Sequence, residues 1–193
     1  VTGGGGVVQA AMQAPKRAIC AGPGKPPVVV DETADLAKAA ADTIAGGGFD
    51  NNILCIGEKE VFAVQSIANE FVRHLEQNGC VLLDSGQVER LTGVAFPTSN
   101  GDWSINREFV GRNADVLADA IGLNVSGDVP LLVGEVAPDH PFVHREQMMP
   151  FLPIVLVPDK DTGIDMAVEA ELGYRHSAVM HSKNVETVTT MAS

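Results

Sequence analysis

Cys55 stands in a stretch of sequence that suits nucleophilic chemistry. It lies within residues 49–60, FDNNILCIGEKE, between a polar, turn-forming start and a charged end. Residues 50–52 favour a turn, because Asp and Asn side chains bond their own backbone and tolerate left-handed geometry. Residues 53–54 are apolar, so Cys55 is expected where a loop meets the core. A substrate can reach a thiol there, and nearby backbone N–H groups favour a thiolate or an oxyanion.

The cysteines also allow plainer interpretations. Cys55 could be a small buried hydrophobe. A Cys-His pair of the hydrolase type would require a tertiary contact with one of the five histidines, because none is adjacent to Cys55 in the sequence. Cys20, Cys55 and Cys80 form an odd set without short metal-binding spacing, so we expect a reducing compartment, no disulfide framework and no metal. Cys20 and Cys80 adjoin apolar residues and are predicted to lie in the core.

The elements that position Cys55 alternate between strands and helices. Apolar, often β-branched runs predict strands at residues 17–21, 28–30, 60–64, 81–83, 131–133, 151–157 and 177–180. Apolar spacing and glycine stops predict helices at residues 7–14, 35–45, 67–77, 85–91, 113–121, 162–171 and 184–191. Residues 93–112 are polar and are expected to run over the surface. This alternation predicts an α/β fold of three layers, with a largely parallel sheet flanked by helices.

The glycine-rich start, with four glycines at residues 3–6, could bind a phosphate. A glycine turn between a strand and a helix leaves free N–H groups. The dinucleotide pattern GxGxxG is not met, because Val8 stands where the third glycine belongs. A flexible turn is the alternative.

Composition excludes several functional classes. The 193 residues suffice for one domain with a sizeable core. The net charge of −12 argues against a nucleic-acid or anionic-membrane surface. No apolar run approaches the roughly 18 residues that cross a bilayer. The sequence shows no signal peptide and does not open on methionine.

Four segments, in order, carry a family resemblance. They are TGGGGVV at residues 2–8, AGPGKPPVVVDETADL at 21–36, HREQMMPFLPIV at 144–155 and GYRHSAVMHSKN at 173–184. With these segments the chain resembles the aldehyde dehydrogenase superfamily. More narrowly, it resembles the CoA-acylating branch, which includes the propionaldehyde and acetaldehyde dehydrogenases of bacterial propanediol- and ethanolamine-utilisation microcompartments.

The resemblance implies a fragment of a longer enzyme. Residues 1–20 would form the end of the NAD-binding region. Residues 21–193 would form the catalytic domain, truncated at its C-terminal end. Whether such a fragment is active by itself is left open by the sequence.

The resemblance also implies roles for single residues. Cys55 would attack an aldehyde and become a thioester after hydride passes to NAD. Its backbone N–H would stabilise the oxyanion, with a second donor from an asparagine outside this chain. Thr2, Gly3 and Gly4 would run under the nicotinamide and pyrophosphate. Glu146 would accept hydrogen bonds from the ribose hydroxyls, although by itself it could be one more solvated acid.

One departure from the family pattern bears on the acyl acceptor. Aligning Lys25 with the family's Glu-Leu-Gly-Gly-Lys places Ala21 where hydrolytic members carry a water-activating Glu. We therefore expect a short aldehyde (propionaldehyde or acetaldehyde), coenzyme A and NAD to give acyl-CoA and NADH. A hydrolytic dehydrogenase and a non-catalytic assembly module of the same fold are the alternatives. The resemblance further implies a homo-oligomer, in the cytoplasm and in the lumen of a microcompartment shell.

Overall fold

The computed structural model describes residues 1–99 and 102–193. Its strands are β1 (Pro27–Val30), β2 (Glu60–Val64), β3 (Val81–Leu83), β4 (Thr98–Ser99), β5 (Asp102–Trp103), β6 (Leu132–Glu135), β7 (Phe151–Val157) and β8 (Val179–His181). Its helices are α1 (Gly5–Met12), α2 (Leu36–Gly47), α3 (Gln65–Gln77), α4 (Ser85–Ala95), α5 (Ala114–Ala120), α6 (Pro141–His144), α7 (Lys160–Ala170) and α8 (Val185–Met191).

In the described part of the chain, six strands form one sheet in the order β3-β6-β7-β2-β1-β8. Every pairing in that sheet is parallel. β1 and β2 are buried along their whole length, as expected for parallel strands covered on both faces. β4 and β5 form a separate antiparallel pair. The α/β prediction is confirmed, and the sheet is wholly parallel rather than largely so.

Helices cover both faces of the sheet, which gives the three predicted layers. Neighbouring strand residues point to opposite faces, as the period of two requires. Val28 packs with Phe71 and Leu75 of α3 and with the alanines of α2. Val29 packs on the other side, in the cluster that contains Leu91 of α4 and Ile164 of α7. The core therefore consists of two apolar layers on either side of the sheet.

Helix α2 leads directly into the cysteine segment. Asp35 caps its amino end, because the Asp35 side chain accepts a hydrogen bond from the Lys38 N–H at 3.2 Å, a common N-cap arrangement. The helix ends at Gly47, and a short turn, Phe49–Asn52, follows. Cys55 is thus held between a capped helix and a buried strand.

Two expectations about the start of the chain were wrong. Residues 17–21 were predicted to form a strand, but only Ala21 pairs, in an isolated bridge with Thr2. A run this short needs a continuous partner strand, and Thr2 supplies a single residue. Cys20 is half-buried rather than in the core, whereas Cys80 is buried as predicted.

The expected surface excursion, residues 93–112, is in part a core segment. α4 continues to Ala95, and Phe96 after it is only 3% exposed. Ile105 also packs against the core. Residues 100 and 101 of this excursion lie outside the described residues. None of the described helices combines the length and apolar character needed to cross a membrane.

Candidate active site

Cys55 lies at the tip of a tight turn just before β2. The Gly57 N–H donates to the Leu54 carbonyl at 3.1 Å, which closes the turn around the cysteine. Cys55 is partly exposed, and Ile56 beside it is 59% exposed. Among the described residues, the Cys55 N–H has no hydrogen-bond acceptor. Cys55 is therefore partly accessible, with a free backbone donor next to it, so the simple buried-hydrophobe interpretation does not fit.

The segment before the cysteine has left-handed backbone geometry, as its polar sequence predicted. Asp50, Asn51 and Asn52 have φ angles of 49°, 53° and 62°, a region that Asn and Asp tolerate better than most residues. The Asn51 side-chain amide donates to the Gly111 carbonyl at 3.0 Å and to Asn113 Oδ1 at 2.9 Å. These bonds fix the outer side of the turn to a distant part of the chain.

Asn52 fixes the inner side of the same turn. Its side chain is fully buried, and its Nδ2 donates to the carbonyls of Gly47 at 2.6 Å and Glu58 at 2.7 Å. It therefore joins the end of α2 to the segment that enters β2, on either side of Cys55.

Lys59 completes this arrangement from within the core. Its side chain is 0% exposed. Its Nζ donates to the Asn52 carbonyl at 2.6 Å, to Asn52 Oδ1, and to the Leu54 carbonyl at 3.0 Å. A buried ammonium is tolerated when acceptors surround it, and here those acceptors all belong to the loop that carries Cys55.

The electrostatic environment of Lys59 connects it to the rest of the site. Burial lowers the pKa of Lys59 to about 8, and attraction from Glu146, Glu60 and Cys55 opposes that decrease. Repulsion from Lys25 adds to it. These groups therefore form one interacting cluster of charges.

Lys25 and Glu60 form a second buried contact of the cluster. Their ion pair is completely buried, and it joins the amino ends of β1 and β2, where Pro27 is paired with Glu60. Burial raises the pKa of Glu60 to about 8, against the attraction of Lys25. Burial likewise lowers the pKa of Lys25. Desolvation therefore exceeds attraction for both partners.

Glu146 faces the same cluster from the segment before β7. Burial raises the pKa of its half-buried carboxyl group, opposed by Lys59, Lys25 and His176 in that order. Its neighbour Gln147 is fully buried and donates from Nε2 to the Lys59 carbonyl at 2.8 Å. The backbone of the glutamate segment is thereby attached to the cysteine segment.

Gly24 passes between Cys55 and His176. A Cβ atom at Gly24 would lie 2.4 Å from the Cys55 carbonyl oxygen and 2.9 Å from Cγ of the His176 ring, so only glycine fits. Sequence reasoning assigned His176 no role. The structure brings its exposed ring next to the glycine loop and within electrostatic reach of Glu146.

All these segments precede strands of the parallel sheet. Gly24 precedes β1, Cys55 precedes β2, Glu146 precedes β7 and His176 precedes β8. Since β7, β2, β1 and β8 are consecutive in the sheet, their amino ends lie side by side at the same end of the sheet. Ligands of open α/β sheets usually bind at the carboxyl ends of the strands, so this site lies at the opposite end.

Sequence reasoning missed Asn52, Lys59, Glu60 and Gln147. The available signal was the run Glu-Lys-Glu directly before a buried strand, because charged residues at such a position must find partners when they are buried. Lys25 was noted only as an alignment point, although the same argument applies to it.

The glycine-rich start is attached to the site through Ala21. The Ala21 N–H donates to the Val1 carbonyl at 2.8 Å, and the Gly3 N–H donates to the Ala21 carbonyl at 3.2 Å. Helix α1 begins after Gly4. Ala21 itself is exposed. No hydrogen bond among the described residues joins Thr2, Gly3 or Gly4 to the Lys59 cluster.

A groove of about 860 Å³ lies elsewhere, where α3 meets the carboxyl ends of β3 and β6. Its charged lining residues are Glu76, Asp84 and Glu135. Carboxylates repel anionic ligands, so this groove does not suit a dinucleotide or coenzyme A. The chemical groups around Cys55, rather than the size of the groove, identify the candidate site.

Comparison with known proteins gives a consistent assignment. The model of the aldehyde dehydrogenase family matches residues 2–82. The whole chain is 45% identical to acetaldehyde dehydrogenase (acetylating) EutE of Salmonella typhimurium, of which it covers 42%. It is 41% identical over its whole length to propanal dehydrogenase (CoA-propanoylating) of Citrobacter freundii, of which it covers 41%. The chain thus spans less than half the length of these relatives.

Solved structures agree. The propionaldehyde dehydrogenase of Rhodopseudomonas palustris with bound propionyl-CoA superposes with a TM-score of 0.92 at 42% identity, over 98% of this chain and 41% of that one. A propionaldehyde dehydrogenase from the Clostridium phytofermentans fucose utilisation bacterial microcompartment gives 0.91 at 46% identity, over 99% of this chain and 43% of that one. The chain is therefore similar over its whole length to aldehyde dehydrogenases, and the two relatives named above are acetylating and CoA-propanoylating enzymes.

Proposed function

We propose that the full-length protein is a CoA-acylating aldehyde dehydrogenase. It would convert propionaldehyde or acetaldehyde, with coenzyme A and NAD, to acyl-CoA and NADH. The observation that carries this proposal is Cys55, a partly exposed cysteine at a turn with a free N–H, in a loop held by the Lys59 ammonium. The acetylating and CoA-propanoylating relatives named above support it.

Cys55 provides the nucleophile in this scheme. Its sulfur adds to the aldehyde carbon, and the Cys55 N–H stabilises the oxyanion that forms. NAD, when bound, supplies the acceptor for the hydride that leaves the same carbon. The product is a thioester on Cys55. Attack by the CoA thiolate then expels the Cys55 thiolate and releases acyl-CoA.

Glu146 and the glycine-rich start suit a nicotinamide cofactor. Among the described residues, the Glu146 carboxylate accepts no hydrogen bond and is therefore available to ribose hydroxyls. A Cβ at Gly4 would meet no atom within 4 Å, so the backbone there is open to a ligand. We assign cofactor binding to Glu146, Thr2, Gly3 and Gly4.

The choice of coenzyme A over water follows from the carboxylates. Ala21 stands where hydrolytic members would have a base. Glu60 is buried and paired with Lys25, so it cannot activate a water molecule beside Cys55. Without such a base the thioester persists, whereas the CoA thiolate attacks without help.

Domain organisation and assembly complete the proposal. Residues 1–20 would belong to the end of the NAD-binding region, consistent with an α1 that buries none of its residues. Residues 21–193 would be the truncated catalytic domain. We further propose a homo-oligomer that works in the cytoplasm, within a microcompartment shell. The Clostridium phytofermentans neighbour, which comes from a microcompartment, supports that location.

The test is NADH formation by the full-length protein from propionaldehyde and NAD, with and without coenzyme A. Turnover should require coenzyme A and should be lost in Cys55→Ala, because the thioester can no longer form. Cys80→Ala, which removes a thiol from the core, is the matched control and should retain turnover. Undiminished turnover without coenzyme A would instead identify water as the acyl acceptor.

A further inference from the structure

We propose that Lys59 is a positioning residue for Cys55, one that fixes the loop presenting the thiol and keeps a positive charge beside it. The inference rests on the proposed role of Cys55 as the nucleophile. Lys59 itself would not touch the substrate, because its side chain is 0% exposed.

The hydrogen-bond acceptors of Lys59 all lie in the loop that presents Cys55. The ammonium donates to the carbonyl and the side-chain oxygen of Asn52 and to the carbonyl of Leu54. Leu54 directly precedes Cys55, and its carbonyl also accepts the N–H of Gly57 that closes the turn. The lysine therefore bonds both to the start of the loop and to the turn at its tip.

The loop that Lys59 holds has an unfavourable backbone geometry. Left-handed geometry is unfavourable for a residue with a side chain, and residues 50–52 all adopt it. Hydrogen bonds from a charged donor are stronger than those from a neutral one. Two of the Lys59 bonds end on Asn52, the last left-handed residue, so they stabilise the geometry that is least favourable by itself.

The surroundings of the Lys59 Nζ also suit a charged amine. An ammonium has three N–H donors, and each finds an oxygen here. A neutral amine would direct its lone pair at one of these oxygens, so the site suits the charged form and gives Lys59 no role as a base. Below the lowered pKa of about 8 the ammonium is charged, and a nearby cation favours a thiolate.

The experiment is alkylation of Cys55 by iodoacetamide between pH 5.5 and 9.5, followed by mass spectrometry of the cysteine-containing peptide. Lys59→Met keeps the volume and removes the charge. We expect the midpoint of the Cys55 pH profile to rise by about one pH unit, because loss of a cation disfavours the thiolate. The alkylation rate at pH 7 should fall about tenfold.

The charged groups that face Lys59 are Glu146, Glu60, Lys25 and Cys55. All four remain in the Lys59→Met variant. Lys38→Met is the matched control. Lys38 is exposed on α2 and pairs with Asp42 at 2.5 Å, so its loss should leave the Cys55 profile unchanged.

Each outcome is informative. A folded Lys59→Met variant with an unchanged midpoint would overturn the positioning role. If Cys55 of the unaltered protein reacts as slowly as Cys80, the nucleophile assignment fails instead.

If the Lys59→Met variant does not fold, a second measurement tests the same proposal without it. The Lys59 ammonium is titrated by ¹⁵N NMR in the unaltered protein and in Cys55→Ser. Since the thiolate attracts the ammonium, its removal should lower the Lys59 midpoint. Equal midpoints would refute the proximity of the two charges.

Discussion

At the scale of single residues, the site depends on how far each charge is withdrawn from water. The Glu146 carboxyl group is half-buried and faces Lys59 and Lys25, whereas Glu60 is fully buried and already paired. Hydrogen bonds to an ionised acceptor are stronger than those to a neutral one. Glu146 is therefore the carboxylate that keeps capacity for a ligand.

Replacing Glu146 by Gln should weaken cofactor binding. The amide retains an acceptor but loses the charge, so we expect the KM for NAD to rise about tenfold, equivalent to ~1.4 kcal/mol, with a smaller effect on kcat. Steady-state kinetics of the full-length protein measure both. The control is Glu169→Gln, on the exposed side of α7. Equal KM values in Glu146→Gln and the unaltered enzyme would contradict the assignment to the ribose.

At the scale of elements, the glycine loop before β1 determines how closely Cys55 and His176 approach. Gly24 is buried between them, with no room for a methyl group on either side. At Gly22, two residues earlier in the same loop, an added methyl group would meet no atom within 4 Å. The same substitution thus has different consequences at two positions of one loop.

Gly24→Ala should displace the Cys55 carbonyl and slow the chemistry. A contact of 2.4 Å with backbone forces a movement of the turn, and small misplacements of a reacting group cost up to about 100-fold in rate. We expect NADH formation to fall at least about tenfold, with unfolding free energy reduced by about 1–3 kcal/mol. Gly22→Ala should change neither. A fully active Gly24→Ala would show that the turn adapts.

Element by element, local sequence patterns predicted the strands and helices well. The run of valines in β1 and the Asp50-Asn51-Asn52 turn follow from side-chain shape and polarity alone. The resemblance pointed to Cys55 and Glu146 but not to Lys59, and the proximity of the three could not be predicted because it depends on which strands are neighbours. His176 was missed for the same reason, since β8 lies next to β1 only in the folded sheet.

At the scale of the whole molecule, two lysines are removed from water in a chain with a net charge of −12. Their burial is possible because each faces oxygen atoms of a neighbouring segment. The Lys25–Glu60 pair joins the amino ends of β1 and β2, which are the middle two of the four strands that bear the site. Stability and site geometry therefore depend on the same contact.

Lys25→Met should destabilise the protein strongly. Removing one partner leaves Glu60 buried and unpaired, at a cost of about 3–5 kcal/mol. Urea unfolding should show this as a lower midpoint. The double variant Lys25→Met/Glu60→Leu removes both charges and should recover most of the loss, because an apolar pair of similar volume is often neutral. A double variant no more stable than Lys25→Met would refute this account.

The order of strands also has a consequence for how the chain acquires its shape. β1 is formed by residues 27–30, yet one of its neighbours, β8, is formed by residues 179–181. Contacts between residues so distant in sequence make folding slow. During synthesis, which runs from the amino terminus, the glycine loop and the cysteine turn leave the ribosome long before the segment that carries His176. The nascent chain would therefore carry the proposed nucleophile, Cys55, while the residues up to His176 are still being added and before the surrounding site exists.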